Sequence, residues 1–544
     1  MPVTAAEHRY GMVVDLNRCV GCQTCTAACK QANDTPPGVQ WRRVLDIEQG
    51  TYPDVERIFL VVGCQHCAEP PCVPVCPSGA TRQRADGLVT MDYDTCIGCA
   101  YCAVACPYQA RTIVDAKEFY YGEPSKQELA NYPDQRLGVA NKCTFCVERI
   151  DDAEASGLVP GIDQAATPAC ADACIASAIQ FGDFADPNSN VSRLVAENQY
   201  FQMHAELGTD PQIKYLYEVP ATTPGREADP EDLDDASLSD PENPLVGPLQ
   251  TWWDYKAAMN FCLGGLASGL MLAIYALYLL NHAIPDTVLR GTYVAGAAVM
   301  GVGLVFVFLK IKRRLRALNV LLRPGSSWMT RETWCVAVLY PAILADLLWP
   351  HAALHGLVAA AAAGFLVSQA MILYRARGIP AWRAPPVPWM LGASGLLEGL
   401  GLMYLAAAVA HPDLGDRDAL ALGGIAAALT LFNAGLWQAY RQTAKARGIP
   451  PLARAEIARI SRLLVWLGQV APLLLFLAAT VAGGSLGTAC LGLGGALAAA
   501  GGGYWKFRLI TRAGYFQGFA LPRLPRRGSG RRAPPPRAGM PAAA

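Results

Sequence analysis

Acidic side chains are nearly missing from the second half of this chain. Residues 251–544 hold 9 Asp and Glu against 28 Lys and Arg, whereas residues 1–250 hold 36 against 17. The formal net charge of +0 therefore joins an acidic half to a basic, apolar one. A nucleic-acid surface is excluded, because the basic residues fall between apolar runs rather than along a polar face. The opening, MPVTAAEHRYGMVVDLNRC, lacks an apolar h-region, a cleavage site and a twin-arginine pair, so it does not read as an export signal. A partner subunit can carry such a signal, which leaves the compartment open on this ground. There is also no nucleotide-binding glycine fingerprint and no serine triad, so nothing marks the chain as the site of substrate chemistry.

What it does have is cysteine. Sixteen of 19 lie between Cys19 and Cys174, while Cys262, Cys335 and Cys490 stand alone in apolar sequence and read as packing residues. The sixteen form four groups: Cys19, Cys22, Cys25, Cys29; Cys64, Cys67, Cys72, Cys76; Cys96, Cys99, Cys102, Cys106; and Cys143, Cys146, Cys170, Cys174. Apolar or alternating runs at 8–18, 55–64 and 87–96 lead into the first three groups, the strand-then-loop pattern of a ferredoxin-like module. A cubane cluster takes four thiolates, and in a C-x2-C-x2-C-x3-C run the fourth thiol reaches a neighbouring cluster. Four [4Fe–4S] clusters are expected, with ligands crossing between groups in the following sets. Cys64, Cys67, Cys72 and Cys106 hold one, and Cys96, Cys99, Cys102 and Cys76 its neighbour. Cys19, Cys22, Cys25 and Cys174 hold a third, and Cys143, Cys146, Cys170 and Cys29 the fourth. Pro77 and Pro107 follow the crossing thiols of groups two and three, but groups one and four have Lys30 and Ile175 there. Structural zinc suits this spacing less well. A cysteine every three residues is poor disulfide geometry. One [3Fe–4S] cluster stays open, although no cysteine is missing to require it. His66 has two readings, tuning a cluster by hydrogen bonding or lying at the surface. Lys142 places a positive charge beside Cys143.

Beyond Trp252 long apolar runs alternate with short polar joints. Eight runs approach the twenty residues a bilayer helix needs: 257–280, 291–309, 333–349, 352–374, 386–410, 418–440, 463–484 and 486–505. Alternate joints, KIKRRLRALNVLLRPGSSWMTRE, RARGIPAWRA, RQTAKARGIPPLARAEIARISR and KFRLITRAG, carry nearly all the positive charge, which the positive-inside rule assigns to the cytoplasm. An even number of spans would put both termini, and the cysteine-rich region, on that side of the inner membrane. The expected architecture is an α+β ferredoxin-like polyferredoxin domain (8–210), an acidic Pro-rich linker (211–253), an all-α eight-helix transmembrane domain (254–509) and a basic Pro/Arg-rich tail (510–544).

The runs CVGCQTCTAAC, CQHCAEPPCVPVCP, CIGCAYCAVACP and CTFC with its distant CADAC resemble the four-cluster electron-transfer subunit of the dimethyl-sulfoxide-reductase family of molybdenum enzymes. Some of that family replace the third cysteine of group three by tryptophan; Cys102 is present here, implying an all-cysteine set. FCLGGLASGLML, LLRPGSSWMTRE, LYRARGIPAW and AGYFQGFALP resemble the quinone-reactive membrane anchor of the same complexes, usually a separate chain. The resemblance implies a relay subunit, itself without substrate chemistry, between a large molybdopterin-containing catalytic partner and membrane quinone. Related cytoplasm-facing complexes oxidise sulfite or phenylacetyl-coenzyme A, and sulfite is the reading favoured; an outward-facing dimethyl sulfoxide or polysulfide reductase is the alternative.

A quinone site needs an apolar slot with one or two hydrogen-bond donors. Tyr255 and Lys256 at the first span, Ser327, Trp328 and Arg331 before the third, and Tyr374, Arg375 and Trp382 after the fourth can supply them. Equally, they can mark the interfacial belt and obey topology. Ionisable groups inside spans are costly and often functional. Glu398, among small residues, is the candidate proton acceptor for quinol, while Asp346 sits near a span end and can simply cap or pair. Asn433 reads as a bond to a neighbouring helix. His282, His351, His355 and His411 lie at span ends rather than in facing pairs, so haem is not expected.

Overall fold

The computed structural model describes residues 8–51, 54–217, 237–280, 284–410, 416–446 and 448–519. The chain divides into two compact units. One comprises residues 1–74, 79–248 and 517–544; the other comprises Val75–Ser78 and Leu249–Phe516. Part of the expected linker (218–236) and the tail beyond 519 lie outside the described residues, as do His282 and His411.

The first unit is a mixed α/β region of small sheets, consistent with a ferredoxin-like fold. Its strands are β1 (Tyr10–Asp15), β2 (Arg42–Thr51), β3 (Asp54–Gly63), β4 (Thr81–Gln83), β5 (Val89–Met91), β6 (Thr112–Ile113), β7 (Ala140–Asn141), β8 (Ile179–Asp183), β9 (Tyr200–Phe201) and β10 (Ile213–Leu216). Its helices are α1 (Thr24–Ala32), α2 (Tyr101–Ala105), α3 (Lys126–Asn131), α4 (Val147–Ser156), α5 (Ala169–Asp172) and α6 (Asn190–Glu197). β1 is apolar on both faces because it lies inside a sheet of order β8-β1-β10-β9, covered on both sides. Met12 faces Phe181 of antiparallel β8 and Ile213 of parallel β10. β10 thus carries the sheet past residue 210. β2 and β3, ten residues each, form a hairpin in which Arg42 opposes Gly63. Each cysteine group follows a strand: β1, β3, β5 and, for the fourth group, the two-residue β7.

The second unit is helical: α7 (Tyr255–Leu280), α8 (Asp286–Lys310), α9 (Trp328–Leu348), α10 (Ala352–Tyr374), α11 (Val387–Ala410), α12 (Asp416–Ala446), α13 (Pro451–Leu463), α14 (Ala471–Ala482) and α15 (Gly484–Thr511). A π-helical stretch, Leu464–Val470, joins α13 to α14 into one long rod. Seven helices, not eight, are long and apolar enough to cross a bilayer among the described residues. The span expected at 333–349 is the one that drops out. α9 covers it, but Arg331, Glu332 and Asp346 break its apolar run and Pro341 interrupts its backbone ladder. The even count that placed both termini on one side is lost with it. Large apolar side chains such as Val302, Phe308, Leu431, Phe432, Leu474 and Val481 point outward, as a lipid-facing surface requires.

Two cores fill the unit. Met271, Tyr293, Leu339, Val358 and Phe365 pack between α7, α8, α9 and α10. Leu400, Tyr404, Phe476 and Leu491 pack between α11, α12, α14 and α15. Glycine lets the helices meet at backbone distance. A Cβ on Gly399 would stand 2.0 Å from the Gly269 carbonyl carbon, and one on Gly401 2.4 Å from the Gly495 oxygen. Gly399→Ala is therefore expected to destabilise the detergent-solubilised protein by about 1–3 kcal/mol. Gly392→Ala, whose Cβ meets nothing within 4 Å, is expected to leave thermal unfolding unchanged.

Candidate iron–sulfur centres and membrane site

The cysteine loops owe their shape to left-handed backbone at fixed offsets. Gly21 (φ 70°) and Gln23 (φ 62°) flank Cys22, and Gly98 (φ 71°) and Ala100 (φ 64°) flank Cys99. In each loop a helix starts immediately afterwards, α1 at Thr24 and α2 at Tyr101. The fourth group repeats the device with Phe145 (φ 59°) and Cys146 (φ 53°) before α4. Such turns point successive N–H groups inward and make an anion-binding hollow. Accordingly, Phe145 N donates to Cys143 Sγ (3.4 Å) and Ala178 N to Cys174 Sγ (3.2 Å).

Twelve of the sixteen thiols are buried, Cys64, Cys99 and Cys174 are half-buried, and Cys22 is exposed. The fold brings them together across groups. Cys67 interacts with Cys64, Cys72 and Cys106. Cys29 interacts with Cys143, Cys170 and Cys146, and Cys25 with Cys170, Cys174 and Cys19. A cavity is walled by Cys64, Cys67, Cys72 and Cys106, together with Tyr108 and Arg111. Among the described residues no three Cys, His, Asp or Glu converge on one point as a single ion needs. A cubane spreads its four thiolates, one to each iron, more widely. Burial, reinforced by neighbouring thiols, pushes Cys25 up to about 11 and Cys106 and Cys143 up to about 12. Thiolates there need added positive charge, which the iron of a bound cluster would supply. The residues fit [4Fe–4S] clusters.

The surroundings hold three buried cations. Lys142 donates from Nζ to Cys143 O (2.5 Å). Arg42, on β2, interacts with Cys170, Cys143 and Cys25. Arg111 interacts with Cys72, Cys102, Cys64 and Cys106. Sequence reasoning singles out neither arginine; the only trace is a charged residue opening an alternating strand. His66 is not at the surface but fully buried, stacked on Phe145 at 3.8 Å. Its Nδ1 accepts from Val89 N (3.1 Å), so Nε2 carries the proton and donates to Cys143 O (3.0 Å). Burial, aided by Lys142, holds this imidazole well below its ordinary pKa, and it stays neutral.

In the helical unit, Glu398 is buried and ion-paired. Its Oε2 meets Lys506 Nζ at 2.7 Å, and Ser394 Oγ donates to Oε1 at 2.6 Å. Trp505 Nε1 in turn donates to Ser394 Oγ. Gly502 makes the room: a Cβ there would lie 2.1 Å from Glu398 Oε1. Lys506 escapes a reading of the sequence because it closes a glycine-rich span at the basic joint, where topology already explains it. Asp346 pairs with His355 at 3.1 Å, and both are buried. Asn433 donates to Ala393 O of α11, as expected of a helix-bridging amide.

The quinone candidates scatter by role. Ser327 is buried and donates to Val75 O (3.0 Å), while Thr330 donates to Pro77 O (3.4 Å), so the first turn of α9 bonds the carbonyls on either side of Cys76. Arg331 stacks over Trp328 and donates to Pro324 O and Gly325 O. Trp382 is fully buried, donates to Leu509 O and stacks on Trp253 at 5.6 Å. Lys256 pairs with Asp254, beside the exposed Tyr255. Tyr374 is half-buried and Arg375 exposed.

Comparison with known proteins agrees with this geometry. The 4Fe-4S dicluster domain family matches residues 55–120. A putative dimethyl sulfoxide reductase iron-sulfur subunit of Halobacterium salinarum is 41% identical over 220 residues, 38% of this chain and 78% of the relative. A selenate reductase subunit of Mesobacillus selenatarsenatis is 40% identical over 227 residues, 39% of this chain and 72% of the relative. A sulfite dehydrogenase subunit of Allochromatium vinosum is 39% identical over 241 residues, 41% of this chain and 88% of the relative. With crossing thiol groups, a four-thiol cavity and these relatives, the chain belongs to the iron–sulfur subunit family of the dimethyl-sulfoxide-reductase type.

Proposed function

We propose that this chain relays electrons between a molybdopterin-containing catalytic subunit and membrane quinone. The observation that carries the reading is the cavity walled by Cys64, Cys67, Cys72 and Cys106, thiols from two separate groups. Four [4Fe–4S] clusters, when bound, pass single electrons. The proposed ligand sets are the four crossing sets read from the spacing. The chain's own part is to hold the thiols, exclude water from most of them, and surround them with N–H groups and fixed positive charge.

The helical unit is proposed as the anchor and quinone port. Support comes from seven long apolar helices and from α9, whose first turn bonds the carbonyls around Cys76. Among the proposed quinone residues, Tyr255, Lys256, Ser327, Trp328, Arg331, Tyr374, Arg375 and Trp382, Ser327, Arg331 and Trp382 already donate to backbone carbonyls and would act by shaping the slot. Glu398 would exchange the quinol proton with Lys506 holding its carboxylate in place. The basic joint after α8, two spans beyond the iron–sulfur domain and so on its side, supports a cytoplasmic position for that domain.

For the partner's substrate we propose sulfite, with electrons passing to quinone. The Allochromatium relative, which this chain covers over 88% of its length, supports it. The Halobacterium relative favours a second reading, a reductase of the dimethyl sulfoxide type, with electrons passing the other way.

Two outcomes are expected. In the anaerobic, dithionite-reduced full chain, added quinone should restore the visible iron–sulfur absorbance; failure to do so with intact clusters would remove the quinone port. Glu398→Gln alone leaves the Lys506 ammonium buried without its counterion, which should cost about 3–5 kcal/mol in unfolding. The double variant Glu398→Gln, Lys506→Met should regain most of that stability. If that variant also reduces quinone at the native rate, Glu398 has no part in proton exchange.

A further inference from the structure

Arg42 and Arg111 occupy equivalent settings. Arg42 is 1% exposed and Arg111 3% exposed. Each is anchored by a methionine that stands shortly before a cysteine group. Arg42 Nη2 donates to Met12 Sδ (3.1 Å), seven residues ahead of Cys19, and Arg111 Nη1 to Met91 Sδ (3.1 Å), five ahead of Cys96. Arg111 Nη1 also donates to Thr81 Oγ1. What remains is unpartnered: Nε and Nη1 of Arg42, and Nη2 of Arg111. The arginine ion pairs among the described residues involve neither of them. A fully buried guanidinium cannot shed its proton, so its charge needs an answering negative group nearby. Among the described residues no carboxylate pairs with either arginine; the groups they interact with are thiols and, for Arg42, the Tyr215 hydroxyl as well.

The thiols each one faces are not random. Arg42 interacts with Cys170, Cys143, Tyr215 and Cys25, and these three thiols belong to two different ligand sets. Arg111 interacts with Cys64, Cys72 and Cys106 of one set and Cys102 of the next. The guanidinium is closely packed: a Cβ on Gly63, the residue before Cys64, would stand 2.7 Å from Trp41 O and 3.3 Å from Arg42 Nη1.

We propose that Arg42 and Arg111 are fixed countercharges, one for each pair of clusters, and that each raises the reduction potential of both clusters in its pair. This rests on the four-cluster reading above. Reduction adds one electron to a cluster and takes up no proton at the guanidinium. The positive charge therefore favours the reduced state by electrostatics alone. The chain would then be divided into two electron-accepting stages, each set by one arginine.

The test is EPR-monitored redox titration of the detergent-solubilised full chain, with iron counted in every sample. Arg42→Met should shift two of four potentials downward, changing the reduced-to-oxidised ratio at fixed potential at least about tenfold, or about 59 mV for a one-electron couple. The other two should not move, and Arg111→Met should reverse the pattern. Arg42→Lys, which keeps the charge, should restore most of the shift. If Arg42→Met instead loses the iron of two clusters and Arg42→Lys regains it, the countercharge is needed for assembly and the assignment stands. Four full clusters with unchanged potentials, equal shifts in all four, or loss of iron in both Met and Lys variants would overturn it. Wild-type protein without four clusters would fail the functional reading itself, a separate result.

Discussion

Burying a thiolate is the constraint on which the first unit depends. A negative sulfur taken from water is costly unless positive charge or hydrogen-bond donors replace the solvent. Twelve buried cysteines within 156 residues multiply that cost, and like charges in each group add to it. The fold answers at three levels. Left-handed residues beside Cys22, Cys99 and Cys146 turn backbone N–H groups inward. Arg42, Arg111 and Lys142 bring full charges into the interior. Iron would supply the remainder. Small sheets and short helices suffice as scaffold because the cysteine loops share their interior with Met12, Phe145, Phe181 and Tyr215.

The helical unit meets the same constraint with different means. Lys506 and Glu398 are both buried, and neither is tolerable alone. Their 2.7 Å contact requires α11 and α15 to approach closely, which Gly401, Gly495 and Gly502 permit. Glycine in this region is thus a matter of clearance: a methyl at Gly502 would occupy the carboxylate's place. The Asp346–His355 pair between α9 and α10 shows the same economy, an acid in apolar surroundings provided with its own partner.

Much of this is legible in sequence, and the misses have physical causes. Cysteine spacing is rigid information, because a loop around a cubane admits few residue counts, so the groups and the strands leading into the first three can be read directly. The fourth strand is only Ala140–Asn141 and leaves no periodic trace. The apolar stretch of α9 suggests a span, but Arg331, Glu332 and Asp346 take it out of the seven. His66 cannot be placed from sequence, since burial depends on Phe145, 79 positions away, folding over it. Arg42 and Lys506 are hidden for a related reason. Each sits where a surface or topological role already accounts for a basic residue, and only tertiary contacts reveal what the charge faces.

The central claim is that sixteen thiols hold four clusters of four irons. Chemical analysis of the anaerobically purified full chain for iron and acid-labile sulfide tests it most directly. About sixteen of each per chain are expected. A chain carrying zinc, or iron without labile sulfide, would contradict it.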